Sequence, residues 1–231
     1  METLPTQGEP IEKILLESPQ FKWVALSING CGILARTMVG RHAREYRESQ
    51  KITLMFAHRV IQALGFAPAP ERVSTQQILV DAADVVIDDP ERVMVLCTTW
   101  EYVPEGVEVC SIGTNSVLVS EQETVREALM PHSLNELLRS QGHVPDPIHR
   151  RHVTHFLGSR KNEDSCHVED VRVARIPLLP TTTIAVLEEP LMAEALVAHP
   201  IPGNEIWSFL EQWSPPEMRI RTRIGVLISL R

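Results

Sequence analysis

The sequence predicts an α+β protein in which helices pack outside two β-sheets. Three observations predict it. Two stretches before residue 90 carry apolar residues at helical spacing, closely spaced short strands follow from about residue 92, and the chain ends in a strand after a Pro-bounded helix. At 231 residues with 43% hydrophobic and 23% charged residues, the chain can bury one sizeable core. No composition shift marks a boundary. The expectation is a single domain over 21–231, preceded by a weakly patterned, flexible segment over 1–20.

Lys22 to Ile28 is an apolar run of strand length, closed by Asn29-Gly30. From about Leu34 to Leu64 the chain reads as one long helical block, because Ile52, Met55, Phe56, Val60 and Leu64 recur on one face. Gly65 and Pro68 end it. Ser74 caps a second helix over about 75–87, with Ile78, Leu79, Ala82, Val85 and Val86 inward, and Asp88-Asp89-Pro90 breaks it. Three strands follow, RVMVLCTTWEY, VEVCSI and SVLVS, the first two joined by a hairpin across Tyr102 to Gly106. After a charged hairpin, a short helix spans His132 to Ser140. The strands VRVARIPLL and TTTIAVLEE, a helix from Glu205 to Trp213 and the strand RIRTRIGVLISLR complete the order.

The net charge of −8 argues against general affinity for a nucleic-acid backbone. No apolar run reaches the roughly 18–20 residues that span a bilayer, and the polar start METLPTQGEP lacks a secretory h-region, so a cytoplasmic location is expected. Cys31, Cys97, Cys110 and Cys166 form no C-x-x-C pair and read as reduced, structural thiols.

Residues Gly113 to Gly142, GTNSVLVSEQETVREALMPHSLNELLRSQG, carry the most specific pattern: a Gly-led turn, a strand, a charged hairpin and a His-Ser pair opening a helix. This resembles the central segment of the type 2C, metal-dependent protein serine/threonine phosphatases. There the turn is Gly-Asp-Ser-Arg and the helix opens Asp-His-Ser-Leu; here they read Gly113-Thr114-Asn115-Ser116 and Pro131-His132-Ser133-Leu134. Val153 to Gly158 resembles the family's Thr-Arg-Ala-Leu-Gly ending, and LPTTTIAVLEEPL and RTRIGVLISLR resemble its last strands. The resemblance implies a four-layer α-β-β-α sandwich with two central, mostly antiparallel sheets.

It also implies a centre of two Mg²⁺ or Mn²⁺ ions held by carboxylates, clamping a water that attacks phosphate in line. On the matched positions the acids are missing. Asn29 and Gly30 stand at the family's first Asp-Gly, Glu188 falls near its second aspartate, and Thr222-Arg223 falls at the third. These are read as vestigial metal-site positions, with no catalytic residue, metal or other cofactor expected. The implied function is that of an inactive phosphatase-like domain that binds a protein in regulation: a phosphoprotein, a kinase or a phosphatase. The alternatives are a divergent Mg²⁺- or Mn²⁺-dependent phosphatase using Asn29, the Gly30 carbonyl and Glu188, and an assembly domain using the surface near Trp207 and Trp213.

Four further patterns stand out. His149, His152 and His155, with Cys166-His167 downstream, lack the ligand spacing of structural zinc sites and read as a solvated basic loop. His132-Ser133 reads as a helix start, with Ser133 and Glu136 as an S-x-x-E capping box rather than a base and nucleophile. Cys31 reads as a small residue in a tight turn. Arg219, Arg221 and Arg223 alternate on the last strand, as either an anion patch or a charged face that deters edge pairing.

Overall fold

The computed structural model describes residues 10–17, 23–39, 43–66, 73–86, 93–122, 124–146, 149, 152–158, 167–188, 190–213 and 223–230. One five-stranded sheet contains β2 (Trp23–Ile28), β3 (Cys31–Val39), β4 (Val93–Val103), β5 (Gly106–Ile112) and β8 (Arg172–Ile176), in that order across the sheet. The other has the order β1-β10-β9-β6-β7, from β1 (Pro10–Glu17), β10 (Arg223–Leu230), β9 (Thr182–Leu187), β6 (Ser116–Glu121) and β7 (Thr124–Leu129). Every pairing in both sheets is antiparallel.

Helices α1 (Ala43–Phe66) and α2 (Thr75–Val86) cover the outer face of the first sheet through a core that includes Ile33, Ala35, Phe56, Val60, Leu79 and Val95. Leu34, Trp100, Val109, Val117, Val186 and Ile224 fill the layer between the sheets. Helices α4 (Pro190–Ala198) and α5 (Ile206–Gln212) pack on the far side of the second sheet over Leu118, Ala185, Leu187 and Leu227. The expected α-β-β-α sandwich is therefore present. Among the described residues no helix is long and apolar enough to cross a membrane.

Alternation along each strand sets what faces what. In β3, Ile33 and Ala35 meet the helices while Leu34 points between the sheets, so Arg36 shares the face of Leu34. In β9, Ile184 and Val186 point between the sheets, and Glu188, one residue past the strand, continues that face. Gly32 leaves room for the neighbouring strand's indole, since a Cβ there would fall on the Trp100 ring.

Three sequence expectations need correction. The block from Leu34 is not all helix: Asn29 and Gly30, with φ of 50° and 77°, form a two-residue hairpin turn into β3, and the helix starts only at Ala43. Both faces of β3 are buried, so it shows no polar alternation to separate it from the helical pattern that follows. The N-terminal segment is not flexible over 10–17, where it pairs with β10 along its length. Its Glu12 carboxylate accepts hydrogen bonds from Trp100 Nε1 at 2.9 Å and Tyr102 Oη at 3.0 Å, tying β1 to the opposite sheet. Finally, α4 was not anticipated; its sequence PLMAEALVA is apolar nearly all round and lacks a clear amphipathic period.

Candidate functional site

At one end of the layer between the sheets, Arg36 meets Glu188. Arg36 Nη1 lies 3.4 Å from Glu188 Oε1, and both side chains are almost buried, at 6% and 12% exposure. The guanidinium is further held by the Trp23 ring, 5.1 Å from its carbon, and by Met38 Sδ at 3.5 Å from Nη2. The backbone N–H of Glu188 donates to Ile224 O on β10, which fixes the carboxylate at the end of the second sheet. A cation carried by β3 and an anion carried by β9 thus close the sandwich across its two sheets.

Next to this pair runs the turn from Gly113 to Ser116. Ser116 pairs with Leu187, which places Asn115 on the neighbouring strand one step from Glu188. Asn115 is fully buried. Its Nδ2 donates to Thr98 Oγ1 at 2.9 Å, and Thr98 in turn shares a hydrogen bond with Ser111 at 2.8 Å. Asn115 Oδ1 and Thr114 Oγ1 are buried with no hydrogen-bond partner.

The turn is locked to the start of α3 (Leu134–Ser140) by His132. Its N–H donates to Gly113 O at 2.6 Å, and its Nδ1 accepts from the Gly113 N–H at 3.3 Å. Gly113 has φ +107°, and a Cβ there would lie 2.8 Å from Leu96. Burial, the nearby Arg172 cation and His155 push the His132 imidazole down to about 3 despite an opposing pull from Asp170. It is neutral at neutral pH, as an acceptor at Nδ1 must be. His155 packs against it, with ring centroids 5.0 Å apart and the rings tilted by 50°. Ser133 caps α3, accepting from Glu136 N at 3.2 Å, so His132-Ser133 is a structural joint rather than a base and nucleophile.

The residues singled out in the sequence are not brought together. Asn29 and Gly30 sit in the β2–β3 turn. Gly30 lies against Tyr102 there, at the end of the hairpin opposite the Trp23–Arg36 pair. Of Asn29, Gly30 and Glu188, the matched positions among the described residues, only Glu188 reaches the site, and it meets Arg36, which sequence reasoning missed. The signal was a lone charge inside an apolar run, hidden once that run was assigned to a helix. Thr222, Arg219 and Arg221 lie outside the described residues. Arg223 pairs with Glu17 at 2.6 Å and shares its face with Gly225 and Leu227, the side of α4 and α5. It is not on an edge, because β1 covers β10.

Cys31, Cys97 and Cys110 are buried free thiols, with burial and the neighbouring Glu108 pushing Cys110 up to about 12; Cys166 lies outside the described residues. Among the described residues, no three His, Cys, Asp or Glu side chains converge on one point. His149 and His152 face each other at 5.9 Å, while His155 turns to His132.

Among the described residues, the pair and the adjoining turn offer one carboxylate, one buried amide oxygen and one hydroxyl, with a guanidinium already seated on that carboxylate; this is short of the oxygen ligands that two divalent ions take. A dication at that place would lie within a few Å of the Arg36 charge and would compete with it for Glu188.

No protein-family model matches the chain, and no curated protein matches it in sequence. Its fold does match solved structures. The PPM Ser-Thr phosphatase MsPP from Mycobacterium smegmatis, in complex with cacodylate, aligns over 96% of this chain and 98% of its own with a TM-score of 0.64 and 15% identity. The S. agalactiae serine/threonine phosphatase aligns over 96% and 100%, with a TM-score of 0.69 and 11% identity. The catalytic domain of the phosphatase PstP, in complex with 2 manganese ions, aligns over 95% and 96%, with a TM-score of 0.63 and 10% identity.

Proposed function

From the fold that this chain shares with metal-dependent serine/threonine phosphatases, we propose that it is a phosphatase-like domain that binds a protein partner and does not hydrolyse phosphate. The observation that carries this reading is the buried Arg36–Glu188 pair, which supplies an internal cation where the resemblance implies metal ions. A guanidinium neutralises the carboxylate but offers no coordinated water to act as a nucleophile. The side chains of Thr114 and Asn115 in the adjoining turn carry neutral oxygens, so among the described residues Glu188 is the one carboxylate of this site, against the several that divalent ions take. The partner is a protein in a regulatory setting, with a phosphoprotein, a kinase or a phosphatase as the classes that the fold suggests.

Calorimetric titration of Mn²⁺ and Mg²⁺ into metal-stripped protein, run beside a phosphopeptide hydrolysis assay, tests the reading. The expected result is no saturable heat up to millimolar metal and no metal-dependent turnover. A saturable site that disappears in Glu188→Ala, together with turnover, would overturn it in favour of a divergent phosphatase holding one metal on Glu188.

A further inference from the structure

A cavity of about 460 Å³ lies between β1, β9, β10 and the segment that leads into α5. That volume is in the range of small-molecule sites. Leu227 lines it from the α4–α5 side of the second sheet, so the sheet itself separates the cavity from the Arg36–Glu188 pair.

The floor is a row of hydroxyls. Strand register sets Ser229 on β10 beside Thr183 on β9, and Thr183 beside Ser120 on β6. By alternation all three share the face of Leu227 and Leu118. Ser229 and Thr183 line the cavity, and Ser120 lies one strand further in. Facing Ser and Thr side chains commonly bond to each other. Here Ser120 Oγ is buried with no hydrogen-bond partner, which is costly unless something supplies one. The Thr183 hydroxyl is directed toward Gly203 instead. A Cβ at 203 would fall 2.5 Å from Thr183 Oγ1 and 3.5 Å from Ser120 Oγ, so glycine leaves this corner clear.

Among the described residues that line the cavity, Lys13 is the one charged side chain, and no carboxylate answers it there. Its ammonium lies 5.4 Å from the Trp207 ring centre. The Trp207 N–H donates to Glu211 at 2.7 Å. Gln122 and Asn204 add two amides to the lining.

We propose that this cavity binds a monosaccharide bearing one anionic group, a phosphate or a carboxylate. Lys13 supplies the countercharge. Hydroxyls and amides both donate and accept, which suits a ligand whose own hydroxyls do the same. Trp207 and Leu227 give the C–H face of the ring an apolar surface. The inference does not depend on whether the domain hydrolyses phosphate.

The test is NMR titration of the whole chain with glucose 6-phosphate and with glucuronate, beside glucose and inorganic phosphate. The expected result is saturable, millimolar binding of at least one charged sugar, with a shift of the Trp207 indole N–H signal. The charged sugar that binds identifies the anionic group. Glucose and inorganic phosphate should each bind several-fold more weakly. Lys13 is exposed, so Lys13→Gln spares the fold and should weaken binding several-fold. Gly203→Ala should abolish it by filling the corner beside Thr183; if that change loosens the fold, Lys13→Gln decides alone. No saturation by either charged sugar, an equal response to glucose or to inorganic phosphate, or indifference to Lys13→Gln would overturn the proposal.

Discussion

Two regions of this molecule differ in what their side chains do. From Gly113 to Ser140 they direct the path of the backbone. Gly113 keeps a backbone conformation that a side chain would strain, His132 bonds the turn on both its N–H and its C=O, and Ser133 caps α3. In β3 and just past β9 the strand geometry is equally regular, but the side chains set charge: an arginine faces a glutamate. Residues that set the path of the backbone and residues that set the electrostatics of a site are thus separable. The fold needs the first set, whereas a metal centre needs both.

The largest effect should come from splitting the ion pair. Arg36→Ala leaves the Glu188 carboxylate buried without its cation, and should lower unfolding free energy by about 3–5 kcal/mol in urea denaturation. The paired change Arg36→Met with Glu188→Leu removes both charges and should come out near the wild type or above it. If Arg36→Ala costs less than about 1 kcal/mol, the pair is not what closes the sandwich at this end.

An intermediate effect should come from the frame, through pH. The folded protein holds His132 neutral down to about 3, against an ordinary value of 6.5. Between those values the unfolded chain binds a proton that the folded chain refuses. The His132 contribution is therefore complete above 6.5 and lost as pH falls through that window, with a slope approaching about 1.4 kcal/mol per pH unit. Denaturation midpoints across pH 4–7 should show this slope in the wild type and a flatter one in His132→Ala. An equal slope in both would assign the acid sensitivity to other histidines.

The same division explains what could be read from the sequence. The Gly113–Gly142 pattern was legible because backbone-directing residues leave local signatures: a glycine before a turn, a serine three residues ahead of a glutamate, alternating strands. The layers followed from element order. The pairing of Arg36 with Glu188 was not legible, because it joins residues 152 apart through two sheets. It depended on recognising β3, which has no polar face. Asn29-Gly30, matched in the sequence to an Asp-Gly motif, takes two left-handed conformations and closes a hairpin. The edge strand β1 was missed for a related reason, since its mixed sequence PIEKILLE alternates weakly and gains its place from Glu12 reaching Trp100 and Tyr102.

The smallest effect, and the sharpest check on the frame, is at Ser133. Its hydroxyl accepts the Glu136 N–H at 3.2 Å, while Glu136 does not return the bond that a full capping box would include. Half a box predicts an ordinary cap, so Ser133→Ala should cost about 1 kcal/mol. Because Asn135 and Glu136 lie in the first turn of α3, fraying that turn should broaden their amide signals while leaving those of Arg36 and Trp23 unchanged. A loss well above about 2 kcal/mol, or signals that broaden at both places, would mean that the turn, the cap and the ion pair behave as one unit. In that case the frame and the charges would be coupled in energy even though they differ in chemistry.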